Sequence, residues 1–119
     1  MIGYSLVLPL SPSVNHYYQR NKGGGVRVSD RGQAFRKEVW AAVKQSKMPT
    51  LSGRLCVVLR VYPRDRKTVD IDNFAKAVLD ALQIAGAFVN DSQVDELTLT
   101  RGSVINGGRI EALIGEIEP

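Results

Sequence analysis

DIDNFAKAVLDALQIAG, residues 70–86, predicts the helix around which the rest of the chain is organised. Apolar residues recur there at helical spacing, which gives the segment one side suited to burial: Phe74, Val78, Ala81, Leu82 and Ala85. Gly86 is the residue type that commonly follows the last helical turn. The apolar side leaves the acidic start of the helix, Asp70 and Asp72, free to face solvent.

The flanking segments predict four strands and a second helix. Alternating and β-branched apolar residues favour strands at 2–9, 54–62, 94–100 and 108–117. An apolar stripe at helical spacing predicts a helix over 31–46, capped by Asp30. Segment 10–29 has prolines, three consecutive glycines and no helical period, so it predicts a long loop with a short hairpin at 26–28.

The order of these elements predicts the fold class. The order β-α-β-α-β-β is typical of α/β (α+β) proteins, and it implies a small mixed sheet with two helices packed on one face. The chain has 119 residues, which suits one domain over 1–119, and 44% of them are hydrophobic. Because the core of such a chain is modest, it would gain stability by pairing with a second copy.

The composition of the chain indicates the compartment in which the protein works and excludes some kinds of site. Cys56 is the only cysteine, which excludes an internal disulfide and a thiolate metal cluster, and its apolar neighbours predict an unreactive core residue. Trp40 lies beside the apolar stripe of its helix and is predicted in the core or a dimer interface. There is no apolar stretch of the ~20 residues that a membrane span needs, and no secretory signal pattern. We therefore expect a soluble, cytoplasmic protein without a membrane partner.

Charge is distributed unevenly along the chain. Lys and Arg number 16 and Asp and Glu number 12, a formal net charge of +4. Basic residues concentrate in 20–37 and 60–67, whereas the sign reverses at 91–96. These basic segments permit a polyanionic partner such as nucleic acid.

Asp70, Asp72 and Asp91 are the candidate metal ligands. Aspartates at a helix start also act as caps that accept N–H groups, and this interpretation stays open. If residues 87–90 return toward the start of the helix, Asp91 comes to lie beside the other two. Gathered carboxylates repel one another unless a cation lies among them, and oxygen ligands suit Mg²⁺ or Mn²⁺.

The segment VNHYYQRNK, residues 14–22, interleaves aromatic and cationic side chains. Tyrosines there can stack on unpaired bases while cations bind phosphates. The alternative is a solvated loop with its tyrosines packed on the domain. His16, the only histidine, is either an ordinary loop residue or a general base.

Several of these stretches together resemble one known family. They are VNHYYQRN at 14–21, PRDRK at 63–67, DIDNFAKAVLDAL at 70–82 and AGAFVNDSQV at 85–94. Combined, they resemble the RusA family of Holliday junction resolvases, which are crossover junction endodeoxyribonucleases. The resemblance implies a small homodimeric enzyme, typical of bacteria and prophages, that binds four-way DNA junctions and makes paired symmetric nicks with Mg²⁺ or Mn²⁺.

The resemblance also implies roles for individual residues. Asp70, Asp72 and Asp91 match the metal-binding acids, and Lys76 matches the catalytic lysine. Family members often carry two acids where this chain has Asn90-Asp91. From the basic and aromatic segments, we predict the following DNA-binding residues: Asn15, Tyr17, Tyr18, Arg20, Lys22, Arg64, Arg66, Lys67 and Asn73.

The resulting hypothesis is metal-dependent hydrolysis of a phosphodiester. The carboxylates hold one or two ions, and the metal activates water. Lys76, on the helix stripe that also carries Asp72 and Asp80, offsets charge in the transition state or orients the water. Two alternatives remain open at this point. One is a non-catalytic DNA- or RNA-binding module, and the other is a nuclease for flaps or ordinary duplex.

Overall fold

The computed structural model describes residues 3–118 and shows an α+β fold. Its strands are Gly3–Leu8 (β1), Tyr18–Arg20 (β2), Val26–Val28 (β3), Leu55–Tyr62 (β4), Val94–Arg101 (β5) and Arg109–Glu116 (β6). Its helices are Val14–Tyr17 (α1), Asp30–Ser46 (α2) and Asp72–Ile84 (α3). A short 3₁₀ helix, Asp91–Gln93, precedes β5.

The main sheet has four strands in the order β1-β6-β4-β5. β6 pairs antiparallel with both β1 and β4, whereas β4 and β5 are parallel. This confirms the predicted mixed sheet. β2 and β3 form a separate antiparallel hairpin. Ile2, at the start of the predicted strand 2–9, lies outside the described residues.

The core lies on one face of this sheet, under α2 and α3. Alternate residues of β4 are buried there: Leu55, Val57, Leu59 and Val61. α3 contributes its predicted apolar side to the same core, and Val78 and Leu82 are fully buried. Burying each large apolar side chain contributes roughly 1.5–3 kcal/mol. The two helices thus pack on one face, as the sequence predicts.

The ends of the two long helices differ slightly from the prediction. Ser29, rather than Asp30, caps α2, because its Oγ accepts a hydrogen bond from the Gly32 N–H at 3.0 Å. α3 begins at Asp72, and Ile71 at its N-cap position makes no side-chain capping bond. Gly86 adopts φ +86° just after the helix, which confirms its predicted role.

Segment 10–29 is more ordered than the predicted long loop. It contains α1 and the β2–β3 hairpin, so the prediction of a hairpin strand at 26–28 is confirmed. The Ser29 N–H donates to the Tyr17 carbonyl at 2.8 Å, which fixes the hairpin against the start of α2. The composition did not reveal this order because the stabilising contacts are non-local.

Two predicted core residues lie elsewhere. Cys56 is partly exposed, because on β4 it points away from the face that carries α2 and α3. Partial burial and a contact with Glu96 raise the pKa of its thiol, which keeps the thiol protonated and unreactive at neutral pH. Trp40 is 52% exposed, so its placement in the core is wrong.

Within residues 3–118, no helix combines the length and the apolar character needed to cross a membrane.

Replacing Gly32 by alanine should destabilise the fold even though alanine favours helices. A Cβ there would lie 2.6 Å from the Tyr17 carbonyl oxygen and 2.6 Å from Val28 Cγ1. We expect the free energy of unfolding to fall by about 1–3 kcal/mol, as in other overpacked sites. Urea denaturation measures this change. Gly23→Ala is the control, since nothing lies within 4 Å of its Cβ position. Equal stability of the two variants would contradict the close approach.

Candidate functional site

The two aspartates at the start of α3 are both exposed. β4 ends before Pro63, and the connection to α3 is held where Arg101 Nη2 donates to the Val69 carbonyl. Asp70 and Asp72 follow, and neither carboxylate forms a hydrogen bond or a salt bridge with a group in residues 3–118. The side-chain capping interpretation is therefore not supported. Two carboxylates left free at one helix end are available to bind a cation.

A cavity of about 470 Å³ opens beside Asp70. Four parts of the chain line it: Ser13 and His16; Arg31; Arg64, Thr68 and Val69; Asp70, Asn73 and Phe74. The His16 Nδ1 lies 2.9 Å from the Ser13 Oγ. Cationic and neutral donors thus line the same cavity as Asp70, an arrangement suited to binding an anion there.

The other predicted site residues are mostly exposed. Lys76 is exposed on the next turn of α3 after Asp72. Among the predicted DNA-binding residues, those exposed to solvent are Asn15, Arg20, Lys22, Arg64, Arg66 and Lys67. Tyr18 and Asn73 are half-buried, and Asn73 faces the cavity beside Asp70.

Asp91 lies at the other end of α3. Its backbone N–H donates to Gln83 Oε1 at 2.8 Å, and Gln83 is in the last turn of the helix. From Asp72 to Gln83 the helix advances about 16 Å, at ~1.5 Å per residue. The sheet shows the same separation, because Val94 at the start of β5 pairs with Leu55 at the start of β4, whereas Asp70 follows the end of β4.

The predicted convergence of three acids within one chain is therefore wrong. Oxygen ligands of one Mg²⁺ ion lie only about 2.1 Å from it, a distance that side chains at opposite ends of α3 cannot share. Consistently, no group of three or more His, Cys, Asp or Glu residues in the described part of the chain is arranged to hold a metal ion. The expected return of residues 87–90 to the start of α3 does not occur.

Gln93 positions Asp91, a role that was not predicted from the sequence. Its Oε1 accepts from the Val89 and Asn90 N–H groups, and its Nε2 donates to the Leu51 and Gly53 carbonyls. These four bonds fix the 3₁₀ helix to the chain that enters β4. The available signal was the motif N-x-x-Q at 90–93, a capping-box pattern.

The remaining acidic candidates are engaged elsewhere. Asp95 accepts from Arg54 Nε at 3.0 Å, and this guanidinium holds the pKa of Asp95 below its usual range. Asp80, predicted on the same stripe as Asp72, forms a salt bridge with Arg36 at 2.7 Å. Neither carboxylate is free to join a metal site at the start of α3.

Tyr17 is buried and belongs to a partly buried hydrogen-bond network instead of a base-stacking surface. Its side chain is 0% exposed, and its hydroxyl donates to Asp80 while accepting from Arg36 Nε at 2.8 Å. Burial raises the pKa of Tyr17, and the hydrogen bond to Asp80 raises it further. The prediction that Tyr17 contacts DNA is wrong, because a buried ring offers no face to a base. The alternative interpretation, a tyrosine packed on the domain, is correct for this residue.

Comparison with known proteins identifies the family. The family described as "Endodeoxyribonuclease RusA" matches residues 9–114. The chain belongs to this family. Membership covers the parts of the chain that form the Asp70 cavity and both acidic segments.

Individual relatives are similar over nearly their full length. The chain is 36% identical over 116 residues to "Crossover junction endodeoxyribonuclease rusA" of Enterobacteria phage HK97, covering 97% of this chain and 96% of the relative. It is also 36% identical over 115 residues to the proteins of that name from Escherichia coli strain K12 and Enterobacteria phage 82, covering 96% of this chain and 95% of each relative.

Tyr17→Phe should lower stability at neutral pH and change its response to alkali. Loss of the hydroxyl costs about 1–1.5 kcal/mol of unfolding free energy, a typical value for one hydrogen bond. Because the pKa of Tyr17 is raised in the folded state, its stabilisation is complete below pH ~10 and declines as the pH rises further, by up to about 1.4 kcal/mol per pH unit.

The difference between wild type and Tyr17→Phe should therefore shrink between about pH 10 and 12. Chemical denaturation at a series of pH values measures it. Tyr18→Phe is the control, since the Tyr18 hydroxyl has no hydrogen-bond partner in residues 3–118. A difference that stays constant or grows with pH would contradict the buried, protonated hydroxyl.

Proposed function

We propose that this protein is a metal-dependent, structure-selective endodeoxyribonuclease that resolves four-way (Holliday) DNA junctions by paired symmetric nicks. The family and the names of its relatives support the substrate class. The single observation that supports hydrolysis is the pair of carboxylates Asp70 and Asp72, which have no partner within residues 3–118, next to the cavity that Asp70 lines together with Arg31 and Arg64. A binding module has no need of free acids next to the phosphates it holds.

The residues at the start of α3 fit a hard divalent cation. Asp70 and Asp72 offer oxygen ligands only. No Lys, Arg or His side chain within residues 3–118 forms a salt bridge with either of them. Mg²⁺ is commonly bound by one or two carboxylates together with waters and substrate phosphates, and Mn²⁺ accepts the same ligands. When bound, such an ion would supply activation of water and polarisation of the scissile phosphate.

The chain's own residues position the DNA and stabilise charge. Asn73, on the cavity wall, binds the phosphate that approaches Asp70, and Arg64 on the same wall binds the DNA backbone beside it. Lys76, exposed one turn after Asp72, offsets the negative charge that grows on the phosphate in the transition state. Arg66 and Lys67 hold the backbone on either side of the cut, so binding depends on the path of the phosphates more than on base edges.

We further propose that the enzyme works as a homodimer in which each site uses both copies. Asp91 is separated from Asp70 and Asp72 by the length of α3 within one chain, so it can join them only from a second copy. A two-fold dimer would form two such sites by symmetry. Two equivalent sites match the two strands that are cut in a four-way junction.

Asp72→Asn should abolish nicking while junction binding persists. The substitution keeps size and removes the charge that holds the cation, so we expect the rate of nicking to fall by about 100-fold or more. The assay uses a mobile four-way junction with Mg²⁺ or Mn²⁺, beside flap and linear duplex substrates. Glu118→Gln is the control for loss of one exposed acid. Full activity of Asp72→Asn would disprove the metal site, and equal cutting of linear duplex would disprove junction selectivity.

Mixed dimers test whether Asp91 acts across the interface. A dimer of one Asp72→Asn copy and one Asp91→Asn copy keeps one complete site if Asp91 acts in trans, and none if it acts in cis. We therefore expect co-expressed, differently tagged copies to regain nicking of a single strand, although each homodimer is inactive.

The matched control is a mixture of Asp70→Asn and Asp72→Asn copies. Both substitutions lie in the same half of the site, so no arrangement of this dimer restores a complete one. Nicking by the Asp72→Asn and Asp91→Asn mixture no greater than that of this control would refute the shared site.

A further inference from the structure

A second cavity adjoins the one beside Asp70. It encloses about 280 Å³, between the chain that follows β1 and one side of α2. Its lining includes Leu10, Ser11, Pro12, Ala34, Phe35 and Glu38. Arg31 and Arg64 line both cavities, so these two residues lie where the cavities meet.

Arg31 and Arg64 are suited to hold one phosphate. Both are exposed, and neither forms a salt bridge with another residue between 3 and 118. Two guanidinium groups at one wall without a carboxylate partner repel each other, and an anion between them removes that repulsion. Guanidinium groups bind phosphate oxygens through paired N–H donors.

The second cavity itself is suited to an uncharged group. The Glu38 carboxylate on its wall would repel another phosphate. Leu10, Pro12 and Phe35 offer apolar surface on which a sugar or a base can pack. Ser11 is 2% exposed, and its Oγ has no hydrogen-bond partner in the described chain. A buried hydroxyl without a partner costs free energy, which a ligand group that bonds to it recovers.

We propose that the two cavities form one groove for the cleaved strand. The phosphate next to the scissile one lies between Arg31 and Arg64, and the nucleoside attached to it occupies the cavity that contains Ser11. The inference rests on the proposed function, because it takes Asp70 as the place of the cut. It adds Arg31 and Ser11 to the residues that hold DNA.

The first test fills the second cavity without touching the core. Ala34 is exposed on α2 and lines the cavity, so Ala34→Leu should obstruct it while the fold is kept. Ala41→Leu is the matched control, since Ala41 is exposed on the same helix and lines neither cavity. In an Asp72→Asn background with EDTA, we expect Ala34→Leu to raise the Kd for a four-way junction about fivefold or more, and Ala41→Leu to leave it within about twofold.

The second test removes one positive charge at two places on α2. Arg31→Gln should weaken junction binding and lower the slope of log Kd against log salt by about one, as loss of one phosphate contact does. Lys37→Gln removes the same charge from an exposed position outside both cavities and should leave the slope nearly unchanged. If the two variants have equal effects, Arg31 contributes only through the net charge of the protein. That result would overturn its proposed role in holding one phosphate.

The third test separates a ligand contact of Ser11 from a structural one. Ser11→Ala removes an unpartnered hydroxyl, so we expect stability to stay equal or rise while junction binding weakens about threefold or more. Lower stability with unchanged binding would show that Ser11 serves the fold alone, and it would overturn the nucleoside site.

Wild-type nicking distinguishes failure of this inference from failure of the proposed function. Wild-type protein that nicks no junction with Mg²⁺ or Mn²⁺ refutes the proposed function. Wild-type protein that nicks normally, while Ala34→Leu and Arg31→Gln behave as their controls do, refutes the groove alone. Thermal unfolding of each variant confirms that the fold is kept before binding is compared.

Discussion

The parallel pairing of β4 with β5 is the constraint on which the arrangement of the acids depends. Neighbouring strands that run in the same direction require a crossover, so the chain that leaves the end of β4 must travel back before β5 begins. α3 makes that return across the core face of the sheet. Residues that precede α3 and residues that follow it are therefore held at opposite ends of the strands β4 and β5.

The sequence predicted the elements of the fold better than their pairing. Local patterns were sufficient for β4, where apolar residues alternate, and for the end of α3, where Gly86 adopts the left-handed conformation. Strand order depends on contacts between distant parts of the chain, which no local pattern records. The misplacement of Asp91 follows directly, because its position is set by the β4–β5 register and by Gln83.

In the candidate site, too, local features were predicted and contacts between distant parts of the chain were not. The free aspartates and the basic segment were predicted from residue types and spacing alone. The contribution of Ser11 and Arg31 to the cavity walls was not, since both residues lie far in the sequence from the basic segment at 60–67 and from Asp70. Tyr17 is the clearest example, because its partner Asp80 lies far away in the sequence and nothing in the local pattern distinguishes a buried tyrosine from an exposed one.

The distance between the two ends of α3 also has a consequence for the cell. Under the proposed function, a single polypeptide carries two incomplete half-sites and is harmless to chromosomes. The rate of nicking would then grow with the square of the protein concentration wherever dimers are scarce, so a twofold fall in expression would lower it about fourfold. The separation of the acids by the length of one helix would thus keep accidental DNA breaks rare when the protein is scarce.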